Sequence, residues 1–300
     1  MLLARLPAAL RGGLTGLTLG LNTIGVFSCM VPPALLKLVL PWAAFAPVRR
    51  LCDRLLNGLA SRWVAINNAW IAGVAPQAQW DVQGTDGLHE KGWYLVSSNH
   101  QTWVDILVLQ RIFHKRIPFL KFFLKQELLY VPVIGLAWWA LDFPFMKRGS
   151  GKAAGDLQTT RDACEKFKQI PTTVINFVEG TRFTAAKHAS QRSPYQHLLK
   201  PKIGGLGVAL ATMGEQFEAM LDVTIVYPHG TPSFWHLLSG RLDAVIVRVE
   251  SRVLPPEMVG QDPVGNRAYR VRVGRWMEQQ WIAKDRLIKE LLASQTPSAS

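Results

Sequence analysis

The chain is short of cysteine, of charge and, above all, of acidic residues. Its 300 residues contain three cysteines, Cys29, Cys52 and Cys164. They are far apart, odd in number and without a paired motif, which argues against a disulfide scaffold and for a reduced compartment, with each thiol packing as a small apolar group. Charged residues make up 18% of the sequence against 49% hydrophobic, a balance more apolar than that of an average soluble protein. Only 21 Asp and Glu stand against 34 Lys and Arg, for a formal net charge of +13. Such an excess suits an anionic partner, either nucleic acid or lipid. No arginine-rich arm and no zinc-type spacing supports nucleic acid, whereas eleven tryptophans and a long apolar N-terminus favour an anionic membrane surface. There is no nucleophile elbow of Gly-x-Ser-x-Gly form, no His-Glu-x-x-His metal motif and no internal repeat.

What is present begins with that N-terminus. Residues 14–31 are uncharged and apolar, with Arg5 and Arg11 upstream, and Pro32-Pro33 is expected to break the helix there. A second apolar run, 34–47, carries only Lys37 as a charge, and Arg49, Arg50 and Arg54 follow it. A single span needs about 20 apolar residues, so the first run is barely long enough. Basic residues on both sides fit a hairpin entering and leaving the cytoplasmic face of the inner membrane, or one span with an interfacial partner. A secretory signal cut near Ala44-Phe45-Ala46 is the bland alternative, but that site lies beyond two prolines. Residues 55–74, with Trp63 and Trp70 among polar groups, read as an amphipathic membrane-surface helix. These features divide the chain into membrane-associated helices over 1–76 and a second domain over 77–300, ending in an amphipathic helix.

Beyond Trp80 the pattern alternates. Strands are expected over 93–97, 117–124, 143–146, 172–178, 222–227 and 244–253, and helices over 102–113, 126–141, 156–169 and 203–213. A terminal helix from Gly265, with Met277, Trp281, Ile288 and Leu292 on one face, should pack on the domain or the membrane. The alternation predicts an α/β fold, a mixed, mostly parallel sheet flanked by helices, behind a membrane-embedded helical segment.

Ligands of such sheets gather where strands end and helices begin. Two polar clusters fall at such ends. The first, Asn99-His100-Gln101-Thr102-Trp103-Val104-Asp105, follows the strand Tyr94-Leu95-Val96. Five helical residues rotate by about 140°, so His100 and Asp105 face each other only if His100 lies in the turn ahead of the helix. A carboxylate on one ring nitrogen then fixes the tautomer and leaves the other as a base. The alternative is a histidine bonded to a nearby acid for structural reasons alone. His89, His114, His188, His197 and His236 read as surface or loop residues, and His229 as a weaker candidate for the rim of the site.

The second cluster, Glu179-Gly180-Thr181-Arg182, follows an apolar strand. Glycine permits close backbone approach, arginine grips two phosphate oxygens, and Glu179 could orient Arg182 or bond substrate hydroxyls. An ordinary surface turn with a local ion pair is the competing reading. Lys125, the pair Lys147-Arg148 and the Lys200–Lys202 segment also sit at element boundaries, and their convergence would favour a phosphate-bearing ligand. Lys121 reads as exposed. Base, orienting acid and anion clamp are the parts needed to move an acyl group onto a phosphate-bearing alcohol. Rival uses of the same residues are a hydrolase whose base activates water, a metal site of His100, Asp105 and Glu179, and a non-catalytic protein binding anionic lipid.

The boxes taken in order resemble a family. NHQTWVD (99–105) is similar to the histidine–four–aspartate box of glycerolipid acyltransferases of the 1-acylglycerol-3-phosphate (lysophosphatidate) type, and FVEGTRF (177–183) to their phosphate-binding box. Residues 124–148, LLKPKIGGL (198–206) and VTIVYPHG (223–230) resemble the intervening and following blocks, leaning to the lysocardiolipin-acyltransferase-like subgroup. The resemblance spans roughly residues 93–230. It implies a glycerol-3-phosphate acyltransferase-like sheet, with His100 as general base and Asp105 as its partner. It also implies acceptor binding by Glu179, Gly180, Thr181 and Arg182, with Arg148, Lys125 and Lys202 at the head group. The partners implied are a lysophospholipid acceptor and acyl-CoA or acyl carrier protein as co-substrate, with no metal and no other cofactor. Tyr227-Pro228-His229 departs from the commoner valine-flanked proline, and Trp138-Trp139 with Leu136 could line an acyl cleft or simply fill core.

Overall fold

The computed structural model describes residues 3–40, 45–122, 124–131, 134–143, 145–146, 164–165, 167, 171–261 and 265–295. Six strands form one sheet in the order β1-β8-β7-β2-β6-β3. They are β1 (Gln79–Gln83), β2 (Tyr94–Ser98), β3 (Leu120–Phe122), β6 (Thr173–Phe177), β7 (Ala219–Val226) and β8 (Ala244–Arg252). Every pairing is parallel except β7 with β8, so the sheet is mixed and mostly parallel as expected. Of the strand read over 117–124, Leu120–Phe122 belongs to the main sheet. Its end, β4 (Leu124–Lys125), leaves the main sheet to pair with β5 (Phe145–Met146). Edge strand β1 and two short helices, α5 (Ala185–Gln191) and α7 (Phe234–Leu238), escaped the sequence reading, being too short to show a period.

The central strands are buried along their whole length because helices cover both faces, which is why they read as apolar runs rather than alternations. On one face α3 (Val104–Phe113) packs Val104, Val108 and Ile112 against Val96, Ile175 and Val223. On the other, α6 (Gly204–Met213) and α8 (Arg267–Ser294) pack against Leu95, Val174 and Met220. The terminal helix therefore belongs to the domain. Tyr269, Val273, Met277, Trp281, Lys284 and Ile288 form its buried stripe, three or four residues apart as an amphipathic helix requires. Lys284 donates to the Val223 carbonyl at 2.6 Å and pairs with Asp222 at 2.7 Å, and the Trp281 indole donates to the Leu199 carbonyl at 3.0 Å. Of the charged helix read over 156–169, only residues 164, 165 and 167 fall among those described, and Cys164 and Phe167 are buried.

Two expectations are corrected. Pro32-Pro33 does not end the first helix: α1 runs unbroken over Ala8–Val39. Each internal proline costs about 3 kcal/mol by removing a donor and crowding the preceding turn. Here the buried face, Phe27, Met30, Ala34 and Lys37, crosses the prolines without a break in spacing, and packing offsets the cost. Lys37 pins the far end through Asp53 at 2.8 Å, Asp142 at 2.6 Å and the Ala140 carbonyl at 3.0 Å. The second correction is Lys121. It is buried, with its ammonium 4.6 Å from the Phe167 ring centre, and burial lowers its pKa to about 8. An i, i+2 pattern cannot tell a solvent-facing strand position from one covered by a helix.

α2 (Ala46–Val74) returns alongside α1, starting earlier than the amphipathic stretch suggested, with Pro47 pre-set for a first turn. Asn22 donates to Asn67 at 2.7 Å and Trp63 to Thr23 at 3.0 Å across the pair. Helix α4 (Ile134–Ala140) packs on this hairpin, and Trp138 and Trp139 join that apolar cluster, the core reading of the two. The other end of α1 also touches the domain: Gly12 lies under the Trp235 indole of α7, where even a Cβ would sit 2.6 Å from the ring. A 32-residue helix, about 48 Å long, is thus held to the domain near both ends. Its outer face exposes Leu10, Leu14, Leu17, Leu21 and Ile24 in one stripe.

Candidate active site

At the exit of β2, Asn99 stands in for a strand partner. Its amide donates to the Ile225 carbonyl and accepts from the Ile225 N–H, both at 2.9 Å, which holds the chain end against β7. Gln101 donates to the same carbonyl at 2.9 Å and Thr102 to the Pro232 carbonyl at 2.7 Å. These bonds keep residues 99–102 out of the helix, which begins only at Val104. His100 therefore lies in the turn, and its Nδ1 sits 2.9 Å from Asp105 Oδ2. The same oxygen accepts the Gln101 and Thr102 amides at 2.6 and 2.9 Å, so the carboxylate caps the turn and orients the ring together. With Asp105 ionised, Nδ1 carries the proton and Nε2 is left as the base. The ring is stacked on Phe177, centroids 3.9 Å apart at 16°, and its side chain is 12% exposed, enough for a hydroxyl to reach it.

Tyr227 was singled out in the sequence only as a departure from pattern. Its hydroxyl donates to Asp105 Oδ1 at 2.7 Å, the only donor to that oxygen among the described residues. Burial, with Asp105 adding, raises its pKa well above the ordinary tyrosine value, so it remains a donor. Tyr227→Phe keeps the ring and removes the proton. Asp105 then loses the bond that holds it against the imidazole, so kcat should fall by up to about tenfold, the worth of one such hydrogen bond, with KM for either substrate little changed. A loss of stability with kcat unmoved would leave Tyr227 a packing residue only.

The second cluster is locked to the first by the main chain: the Phe183 N–H donates to the His100 carbonyl at 2.7 Å. Gly180, at φ 67°, makes a turn that strongly favours glycine, and the Lys202 side chain lies 3.0 Å from where its Cβ would be. Arg182 is exposed, its guanidinium 4.9 Å from the centre of the Trp103 ring. Lys187, missed because nothing in the sequence ties α5 to the site, donates to Thr181 Oγ1 at 2.7 Å and the Arg182 carbonyl at 3.0 Å. Arg182, Lys187 and Lys202 thus gather round one loop beside His100, a three-cation cradle suited to phosphate. The side chain of Lys125 and all of Lys147 and Arg148 lie outside the described residues.

Glu179 is placed behind this surface rather than on it. It is fully buried, and its two oxygens accept the His100 and Leu199 amides, each at 2.8 Å. It therefore neither orients Arg182 nor reaches a substrate hydroxyl. It ties the histidine turn to the strand end. Burial raises its pKa from 4.5 to about 7, against the pull of the two amides and with help from Asp105. The folded chain thus keeps a proton that the unfolded chain releases near 4.5, so this contribution to stability is complete below 4.5 and lost as pH rises through about 7. Its size is about 3 kcal/mol. Glu179→Gln should abolish that component of the fall in melting temperature between pH 4.5 and about 7. An identical pH slope in wild type and variant would refute the assignment. His229 and His236 line a hollow of about 210 Å³ beyond Tyr227. His188 and His236 lie on short helices rather than loops.

The frame is a mostly parallel sheet presenting a histidine–aspartate pair and a cation-rich loop at its strand ends. The acyltransferase family model matches residues 79–230, and the chain belongs to that family. It is 27% identical over 267 residues to 1-acyl-sn-glycerol-3-phosphate acyltransferase 2 of Brassica napus, covering 83% of this chain and 65% of that protein. To the human 1-acyl-sn-glycerol-3-phosphate acyltransferase gamma it is 33% identical over 129 residues, 39% of this chain and 33% of the relative. The fold matches the crystal structure of the 1-acyl-sn-glycerophosphate acyltransferase PlsC from Thermotoga maritima with a TM-score of 0.53 at 17% identity, over 91% of this chain and 98% of that one.

Proposed function

We propose that the protein transfers an acyl group from a thioester to the sn-2 hydroxyl of 1-acylglycerol-3-phosphate, giving phosphatidate. The observation that carries the reading is the bond from Phe183 to the His100 carbonyl, which sets base and anion cradle side by side. In this reading Arg182, Lys187 and Lys202 hold the acceptor phosphate. His100 Nε2 takes the hydroxyl proton as the oxygen attacks the thioester carbonyl, while Asp105 stabilises the imidazolium. The tetrahedral oxyanion collapses, the carbon–sulfur bond breaks, and the thiolate of coenzyme A or acyl carrier protein leaves with the proton from the imidazolium. No covalent enzyme intermediate and no metal is needed. Phe177 and Phe122, stacked at 6.2 Å beyond the His100 ring, offer an apolar flank for the acyl chain.

The same reading lays the α1–α2 hairpin in one leaflet. The exposed leucine stripe of α1 meets lipid, while both ends of the helix stay on the domain, which favours an in-plane anchor over a span. The basic surface fits the cytosolic face of the inner membrane. The test is an assay of purified protein with a panel of lysophospholipids and both thioester donors. Formation of phosphatidate from lysophosphatidate supports the reading. Thioester cleavage indifferent to any lysophospholipid would overturn it in favour of a hydrolase.

A further inference from the structure

A cleft of about 570 Å³ opens between α2 and the far end of the sheet. Its lining includes Leu120, the first residue of β3, and Pro171, just ahead of β6. His100 follows the opposite end of β2, and the strands between run parallel. A five-residue strand is roughly 17 Å long, so the cleft is no part of the acceptor cradle. Its inner wall is apolar, with Val64, Phe113 and Ile117 all buried.

The mouth is cationic. Arg50, Arg54 and Lys115 line it and are exposed, and none has an ion-pair partner among the described residues. The two acids at the cleft are Glu90 and Asp53, and Asp53 is already paired with Lys37 at 2.8 Å. Lys115 is held in left-handed backbone, φ 59°, a conformation costly for a residue with a side chain. Immediately beside Arg50 and Arg54 on α2, Leu51 and Leu55 are each 51% exposed and one turn apart. Unpaired cations over an apolar wall, next to exposed leucines, match a ligand with an anionic head and hydrocarbon tails.

We propose that the mouth of this cleft, together with the adjoining face of α2, is a second, non-catalytic site that seats one anionic phospholipid of the bilayer, its phosphate at Arg50, Arg54 and Lys115 and its chains along Leu51 and Leu55 beside the mouth. The proposal rests on the membrane reading of the hairpin but not on acyl transfer, and it is tested by binding rather than turnover. Full-length protein in a neutral detergent, with short-chain lysophosphatidate saturating the catalytic cradle, is titrated calorimetrically with dihexanoyl-phosphatidylglycerol, dihexanoyl-phosphatidylcholine or inorganic phosphate. Wild type should bind the phosphatidylglycerol saturably and the phosphatidylcholine far more weakly. The Arg50→Gln/Arg54→Gln double variant should weaken that binding roughly tenfold or more. Arg275→Gln/Arg286→Gln, which removes the same charge from the exposed face of α8, should leave it unchanged. Equal weakening in the two double variants would reduce the effect to bulk surface charge and overturn the site. Inorganic phosphate binding as tightly as the lipid, or acyl-CoA displacing it, would also overturn the proposal, pointing to a soluble anion or an extension of the active site.

Discussion

Replacing His100 by alanine is expected to lower acyl transfer by about 10³-fold, in the middle of the range for loss of a general base, while sedimentation with liposomes is unchanged. The two readouts separate because His100 sits at the sheet end, 12% exposed and bonded through its ring and main chain, whereas the exposed leucines lie on the hairpin. The main-chain bonds to Glu179 and Phe183 survive truncation at Cβ, so the turn should persist and the loss should fall on kcat. Retained turnover in this variant, with the protein folded, would remove the histidine from the chemistry.

Arg182→Ala is expected to raise the acceptor KM about 30-fold, corresponding to roughly 2 kcal/mol for a lost charge-assisted contact with phosphate, with a smaller change in kcat. The guanidinium is exposed and leans on Trp103, so its removal leaves no buried group unpaired and should cost little stability. Lys187 and Lys202 remain and keep the effect below total loss. Arg182→Lys should recover only part of it, because an ammonium cannot grip two oxygens in one plane. An unchanged acceptor KM, measured with the donor saturating, would show that the phosphate lies elsewhere. If KM for the thioester rose instead, the cradle would belong to the donor.

The central strands and the helices packed on them, α3 and α6, were legible because buried parallel strands are written as apolar runs and their helices as periodic ones, whereas α5 and α7 are too short to show a period. Both polar boxes were legible because each follows such a run directly. The position of His100 ahead of the helix rather than within it was one of two readings left by the residues, and Asn99, Gln101 and Thr102 decide it through bonds to residues more than a hundred positions away. Lys187 was invisible for a related reason: a lysine on a two-turn helix has no pattern of its own, and only the fold brings it to Thr181.

By itself the sequence determined which chemical groups are available and in what order: a histidine, an acid, a glycine-containing basic loop and an apolar N-terminus, since composition and local periodicity are properties of neighbours along the chain. Only the tertiary structure decided that Glu179 faces inward as a strut, that Tyr227 completes Asp105, that Lys121 is covered and that α1 runs straight through two prolines. Each of those outcomes turns on a contact between distant segments, where desolvation and packing outweigh local preference, and no window of sequence contains both partners.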